Sequence, residues 1–222
     1  MAESILSPRQ LDFLELIGKE KEITKRFYWT GGTVLAEFYL RHRLSEDIDL
    51  FCQDQEVDQK LVESFLRQHA STLGIKEIER SQYLGLFSYF LIYNKRETLK
   101  VDFNYYPFSR IEKGAFYKKI QLDSLRDMAL NKLQTIATKP RARDFIDIYF
   151  IVKEKKFDLQ ELLKDAKIKF DWHIDPLDFG SQLMKAQDVK DYPKMLKPLN
   201  QKDFQIFFLK EAEKLKVKII KE

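Results

Sequence analysis

The chain has 222 residues, 44% hydrophobic and 33% charged, with a formal net charge of +4. That is enough apolar sequence for one ordinary core or two small ones, and too little net charge for a global polyanion-binding field. Cys52 is the sole cysteine, which excludes an intrachain disulfide, and His42, His69 and His173 are too scattered for a zinc cluster.

In chain order, the first informative segment is Phe27–Trp29, bulky and β-prone, ended by the Gly31-Gly32 pair as a tight turn where backbone can approach a phosphate. Thr33 is a good N-cap, and Val34, Leu35 and Phe38 recur at helical spacing. Residues 33 to about 41 therefore read as a short amphipathic helix whose N-terminus faces an anion. Asp47-Ile48-Asp49-Leu50-Phe51 alternates, with Ile48 and Leu50 facing a core and the two aspartates sharing the other face. Two such carboxylates either form the solvated face of an edge strand or hold a cation, for which hard oxygen ligands select Mg²⁺ or Mn²⁺ over zinc.

The apolar run Leu86–Tyr93, the polar turn Asn94–Glu97 and the alternating Leu99–Asn104 predict a hairpin over 86–105 that carries Asp102 into the sheet of Asp47 and Asp49. Tyr105, Tyr106, Phe108, Phe116 and Tyr117 follow as hairpin or core packing, or as a surface on which a base stacks. Helices are expected at about 123–137, 141–154, 158–168, 176–188 and 201–219, with turns at 171–176 and 192–198. Lys132 falls in the middle of the first helix's apolar stripe of Leu125, Met128, Ala129, Leu133 and Ile136, from which it either snorkels to solvent or reaches a site. Asp144 lies in the first turn of the next helix, where it suits the helix dipole, and Asp147 is expected as a surface partner of Arg143. Lys139–Arg143 is a local basic cluster able to hold an RNA backbone, whereas the Lys-rich end from Lys210 is expected to be a solvated helix face. The N-terminus has no basic-then-apolar pattern, and the uncharged stretch Ser81–Asn94 is too short to span a bilayer. A cytoplasmic protein without membrane insertion is expected.

Gly31-Gly32-Thr33-Val34-Leu35-Ala36 followed by Arg43-Leu44-Ser45-Glu46-Asp47-Ile48-Asp49-Leu50-Phe51 resembles the nucleotidyltransferase superfamily with the DNA polymerase beta-like fold, and within it the bacterial AbiEii/AbiGii toxin family. Asn131-Lys132-Leu133 and Arg143-Asp144-Phe145-Ile146-Asp147-Ile148-Tyr149 extend the resemblance, which covers roughly residues 25–155. It implies an α+β fold, with a mixed sheet flanked by helices in a nucleotidyltransferase core over 1–120. A helical region over 121–222 is expected to contribute to the active-site cleft.

The implied chemistry is attack of an acceptor hydroxyl on the α-phosphate of a nucleoside triphosphate, with release of pyrophosphate. Asp47, Asp49 and Asp102 would bind Mg²⁺ or Mn²⁺ in a two-metal arrangement with ions about 3.5–4 Å apart. Asp102 is expected to hold the catalytic ion or to accept the acceptor's proton. Gly31, Gly32 and Thr33 would anchor the phosphates. Many relatives have a serine where Gly32 stands, so a hydroxyl contact would fall to Thr33. By the same resemblance Lys132 would neutralise triphosphate charge, and Asp144 would hydrogen-bond Lys132 or contact the acceptor. The resemblance further implies an RNA acceptor, the 3′ end of tRNA among the candidates. It also implies growth arrest as the toxin of a type IV toxin–antitoxin or abortive-infection pair, with an antitoxin that need not bind the toxin. Transfer to a small molecule such as an antibiotic, a non-catalytic nucleotide- or RNA-binding module, and a metal-dependent phosphodiesterase are the alternatives.

Overall fold

The computed structural model describes residues 4–173 and 175–219, a mixed α+β chain. It divides into two compact units, one made of residues up to 37, 45–109 and 113–124, the other of 38–44, 110–112 and 125 onward.

The first unit begins with α1 (Pro8–Ile17), which has a complete capping box. Ser7 Oγ accepts from the Gln10 N–H, Gln10 Oε1 accepts from the Ser7 N–H at 2.8 Å, and Pro8 occupies the first turn. After α2 (Lys21–Arg26) come β1 (Tyr28–Thr30), α3 (Gly31–Val34) with its π-helical continuation Leu35–Leu40, β2 (Ile48–Cys52) and α4 (Gln59–Leu73). Then follow β3 (Glu77–Tyr83), β4 (Leu86–Asn94), β5 (Glu97–Tyr105) and the two-residue strands β6 (Phe116–Tyr117) and β7 (Ile120–Gln121). The five-stranded sheet has the order β1-β2-β5-β4-β3, in which β2 and β5 run parallel and the other neighbours antiparallel.

Alternation along these strands does what the sequence pattern requires. Ile48, Leu50, Leu99, Val101 and Phe103 are buried, and α1 and α4 meet at Phe13 and Phe65, whose rings lie 6.1 Å apart. Each such side chain contributes roughly 1.5–3 kcal/mol on full burial. The expected hairpin over 86–105 is present as β4 and β5.

The segment after β1 departs from the expected helix. Its N-cap is Thr30, not Thr33, and Thr33 lies inside the first turn. Val34, Leu35 and Ala36 are buried but Phe38 is 37% exposed. The π-helical stretch explains this, because the wider turn rotates later residues off the stripe that a 3.6-residue period would make.

In the second unit, α5 (Leu125–Thr138), α6 (Ala142–Lys155), α7 (Leu159–Phe170), α8 (Pro176–Met184, extended by a 3₁₀ turn to Gln187) and α9 (Gln201–Ile219) follow the expected helices closely. α5 packs on α6 and α7, and α8 on α9, with Phe145 and Phe208 stacked edge to face at 5.1 Å. The segment before β2 joins this unit, since Leu44 N–H donates to the Lys194 carbonyl and the His42 carbonyl accepts from Leu196.

Candidate active site

The turn after β1 is built around Gly31. Its φ of +83° lies where side chains are strained, and a Cβ there would overlap the Asp49 carboxylate. Glycine thus lets an acidic side chain lie directly on the backbone of the turn. Thr30 steadies the same turn by donating its hydroxyl to Asp123 Oδ2 at 2.7 Å, while the Asp123 N–H donates to the Trp29 carbonyl.

Strand pairing brings the acidic residues together. Asp49 is in register with Thr30 on one side and with Asp102 on the other, and Asp102 is in register with Ser88. Paired positions point to the same sheet face, so the two carboxylates of adjacent strands stand side by side. Asp47 lies just before β2, and its carbonyl accepts the Thr33 hydroxyl at 2.5 Å. With Thr33 only 1% exposed, that hydroxyl ties the turn to the strand entry rather than capping the helix.

The charge between the aspartates is not left bare. Lys100, two residues before Asp102 on the same strand face, donates from Nζ to Asp102 Oδ2 at 2.5 Å and lies 3.9 Å from Asp47 Oδ2. The other oxygen of Asp102 is buried and accepts no hydrogen bond. Among the described residues, no three His, Cys, Asp or Glu side chains form a ready-made metal cage. The donor set nevertheless fits a hard divalent ion: Asp47, Asp49 and Asp102 offer only carboxylate oxygens, one of them buried and unshared. A run of rings extends the face beyond Asp49, with Phe51 5.1 Å from Tyr106 and Tyr106 4.9 Å from Phe108.

The second unit holds the other sequence candidates. Lys132 donates to Asp144 Oδ1 at 2.7 Å and sits 2.8 Å from Asp147 Oδ2, so it neither snorkels to solvent nor stands alone. Arg141 adds a second cation to Asp144. Asp147 is not a surface partner of Arg143. It is fully buried, Arg43 grips both of its oxygens at 2.7 and 2.8 Å, and His42 Nε2 lies 2.7 Å from Oδ1. Burial opposes ionisation of Asp147, but Arg43 and then Lys132 overcome it and hold the carboxyl well below the ordinary range. Asp144 behaves likewise: burial pushes it up, while Lys132 and Arg141 bring it below its usual value. Burial dominates for His42 and lowers its pKa, so a neutral ring donating from Nε2 to Asp147 is the state that fits.

The structure thus pairs Asp49 with Asp102 and sets Asp47 and Gly31 beside them, and it pairs Lys132 with Asp144. Lys100, Arg43, His42, Asp123 and the burial of Asp147 escaped sequence reasoning. Lys100 carried a signal in its two-residue spacing from Asp102 on a strand. Asp147 carried one too, three residues after Asp144 on a helix and therefore on a neighbouring face. Arg43 and His42 carried none, because their partner is about a hundred residues away in the chain.

A family model described as the nucleotidyl transferase AbiEii toxin of type IV toxin–antitoxin systems matches residues 19–214. An uncharacterised protein of Aquifex aeolicus (strain VF5) is 29% identical over 150 residues, covering 67% of this chain and 68% of its own length. The fold is shared with a putative nucleotidyltransferase from Helicobacter pylori, with 20% identity, a TM-score of 0.58 and coverage of 97% of this chain and 98% of that one. MenT4, a nucleotidyltransferase toxin from Mycobacterium tuberculosis H37Rv, is 12% identical with a TM-score of 0.57, covering 93% and 81%. The glycine turn, the paired aspartates and the match over most of the sequence agree, and the chain is a nucleotidyltransferase that belongs to the AbiEii toxin family of type IV toxin–antitoxin systems.

Proposed function

We propose that this protein transfers a nucleotide from a nucleoside triphosphate to an RNA hydroxyl, with the 3′ end of tRNA as the acceptor, in a reaction that requires Mg²⁺ or Mn²⁺. The observation that carries the metal requirement is the register of Asp49 with Asp102 on one sheet face beside the Gly31 turn, with a buried Asp102 oxygen left unshared. The acceptor oxygen bonds to the α-phosphorus, the bond from that phosphorus to the β-phosphate bridge breaks, pyrophosphate leaves and the acceptor's proton is released to solvent. A bound divalent ion would supply Lewis acidity at the triphosphate and the reacting oxygens. Asp47, Asp49 and Asp102 would hold it, and backbone N–H groups of the Gly31-Gly32 turn would meet a phosphate. For Lys132 we propose the charge-neutralising role implied by the family, with Asp144 and Asp147 fixing its ammonium.

Support for RNA as acceptor comes from half-buried rings and from cations: Phe51, on the face of Asp49, with Tyr106 against it, and the basic stretch 139–143. Growth arrest is the proposed biological outcome, relieved by a separately encoded antitoxin that need not bind this chain.

The test is incorporation of α-labelled ATP, CTP, GTP or UTP into total cellular RNA with Mg²⁺ or Mn²⁺, with an Asp47→Asn/Asp49→Asn variant as control. Label in a tRNA-sized band with the wild type alone is expected. Metal-dependent transfer to small molecules instead would reject RNA as the acceptor, and no transfer to any acceptor would reject the catalytic reading.

A further inference from the structure

We infer that Lys100 takes the place of one of the two cations of a two-metal site, so that this nucleotidyltransferase holds a single divalent ion, between Asp49 and the unshared oxygen of Asp102. The inference rests on the reading of Asp47, Asp49 and Asp102 as metal ligands.

Four observations carry it. Lys100 Nζ is 2.5 Å from Asp102 Oδ2, so a metal ligated by that same oxygen would have to displace the ammonium. The same Nζ lies 3.9 Å from Asp47 Oδ2 and so spans two of the three carboxylates, as a second ion would. Asp102 is only 6% exposed, and its Oδ1, buried without a hydrogen-bond partner, is the oxygen that remains for a metal. Finally, Asp49 is in register with Asp102, which places a second carboxylate on the Oδ1-bearing residue's own level of the sheet.

A second divalent ion ligated by Asp102 Oδ2 and Asp47 Oδ2 would stand where the Lys100 ammonium stands, and two cations at that range repel each other. Tethering also favours the lysine. Lys100 and Asp102 are fixed two residues apart on one strand, so their contact is made without the association entropy that a free ion loses. The exchange keeps charge compensation on the acceptor side and gives up part of a metal's lowering of the hydroxyl's pKa.

The test is Mn²⁺ binding to the full chain, followed by electron paramagnetic resonance with and without a non-hydrolysable triphosphate analogue. Two Mn²⁺ ions about 4 Å apart give an exchange-coupled spectrum, which an isolated ion does not. The wild type and Lys100→Arg are expected to bind one site-specific Mn²⁺ with an uncoupled spectrum. Lys100→Met is expected to bind two and to show the coupled signal, and Lys100→Gln serves as a second charge-free variant, with circular dichroism confirming that each is folded. A coupled pair in the wild type would overturn the inference, as would one uncoupled Mn²⁺ in both charge-free variants. Wild-type Mn²⁺ binding no stronger than in Asp47→Asn/Asp49→Asn would instead reject the metal reading of the site itself.

Discussion

Single residues fix the geometry of the glycine turn more tightly than the elements around them do. Gly31 faces two constraints at once: a backbone angle of +83° and an Asp49 carboxylate lying where a Cβ would stand. The left-handed conformation alone costs a side chain about 1–2 kcal/mol, and the overlap must also be relieved by moving Asp49. Gly31→Ala is therefore expected to abolish nucleotide transfer while leaving most of the fold, read as lost activity with only a modest fall in melting temperature. Unchanged activity would mean that the position of Asp49 against the turn is irrelevant to the reaction. Asp147 makes the opposite case, a residue whose substitution would act first on stability. Removing its carboxylate takes from buried Arg43 the group that grips it and leaves Lys132 with Asp144 alone, and Asp147→Ala is expected to destabilise the helical unit by about 3–5 kcal/mol in urea denaturation. A cost below about 1 kcal/mol would show that water or a rearranged partner replaces it.

Elements were legible where local chemistry decides them. The strand pair β2 and β5, the hairpin and the helices of the second unit follow from alternation and 3.6-residue stripes, and α8 and the start of α6 from Pro176 and Pro140. α1 and α4 also carry local start signals, in Ser7-Pro8 and in Asp58 before Gln59, whereas α2 has no side-chain cap to mark its start. The π-helical turn after Val34 has no local cue, so a 3.6-residue stripe puts Phe38 on the wrong face. Within the candidate site, the acidic and glycine positions could be read because their spacing is short. The ion pairs could not, since Arg43 to Asp147 and Asp127 to Lys169 are set by tertiary packing. That last pair ties an element to a loop: Asp127 on α5 accepts from the backbone N–H groups of Ile111 and Glu112 and from Lys169 on α7. Asp127→Ala should release the 110–112 segment as well as strand the buried Lys169. Hydrogen exchange at Ile111 and Glu112 is expected to rise well above that of the rest of the unit. Protection unchanged at those two amides would place the segment's anchor elsewhere.

At the scale of the whole molecule, these buried charges give the chain a defined response to acid. Cys52, Tyr89 and Tyr93 are pushed up by burial, to about 11, about 12 and about 12, and stay neutral throughout the physiological range. The acid side is governed by groups whose pKa is lowered in the fold. His42 takes up a proton near pH 6.5 when unfolded but only at lower pH when folded. The unfolded chain therefore binds more protons between those two values, and stability falls as pH drops through that window. One such group contributes a slope of at most about 1.4 kcal/mol per pH unit. Asp144 and Asp147, depressed in the fold, add stability that is fully present above the ordinary carboxylate range and is lost only as pH falls through their lowered values. Two separate acid steps are thus expected, one below neutrality from His42 and one below about pH 4 from the aspartates. Urea denaturation of the wild type at pH 7.5 and 5.5 should show the first step. His42→Gln, which keeps a donor for Asp147 and cannot titrate, should lack it while retaining the second. Equal losses in both proteins between pH 7.5 and 5.5 would assign the step to another group and leave His42 a purely packed partner of Asp147.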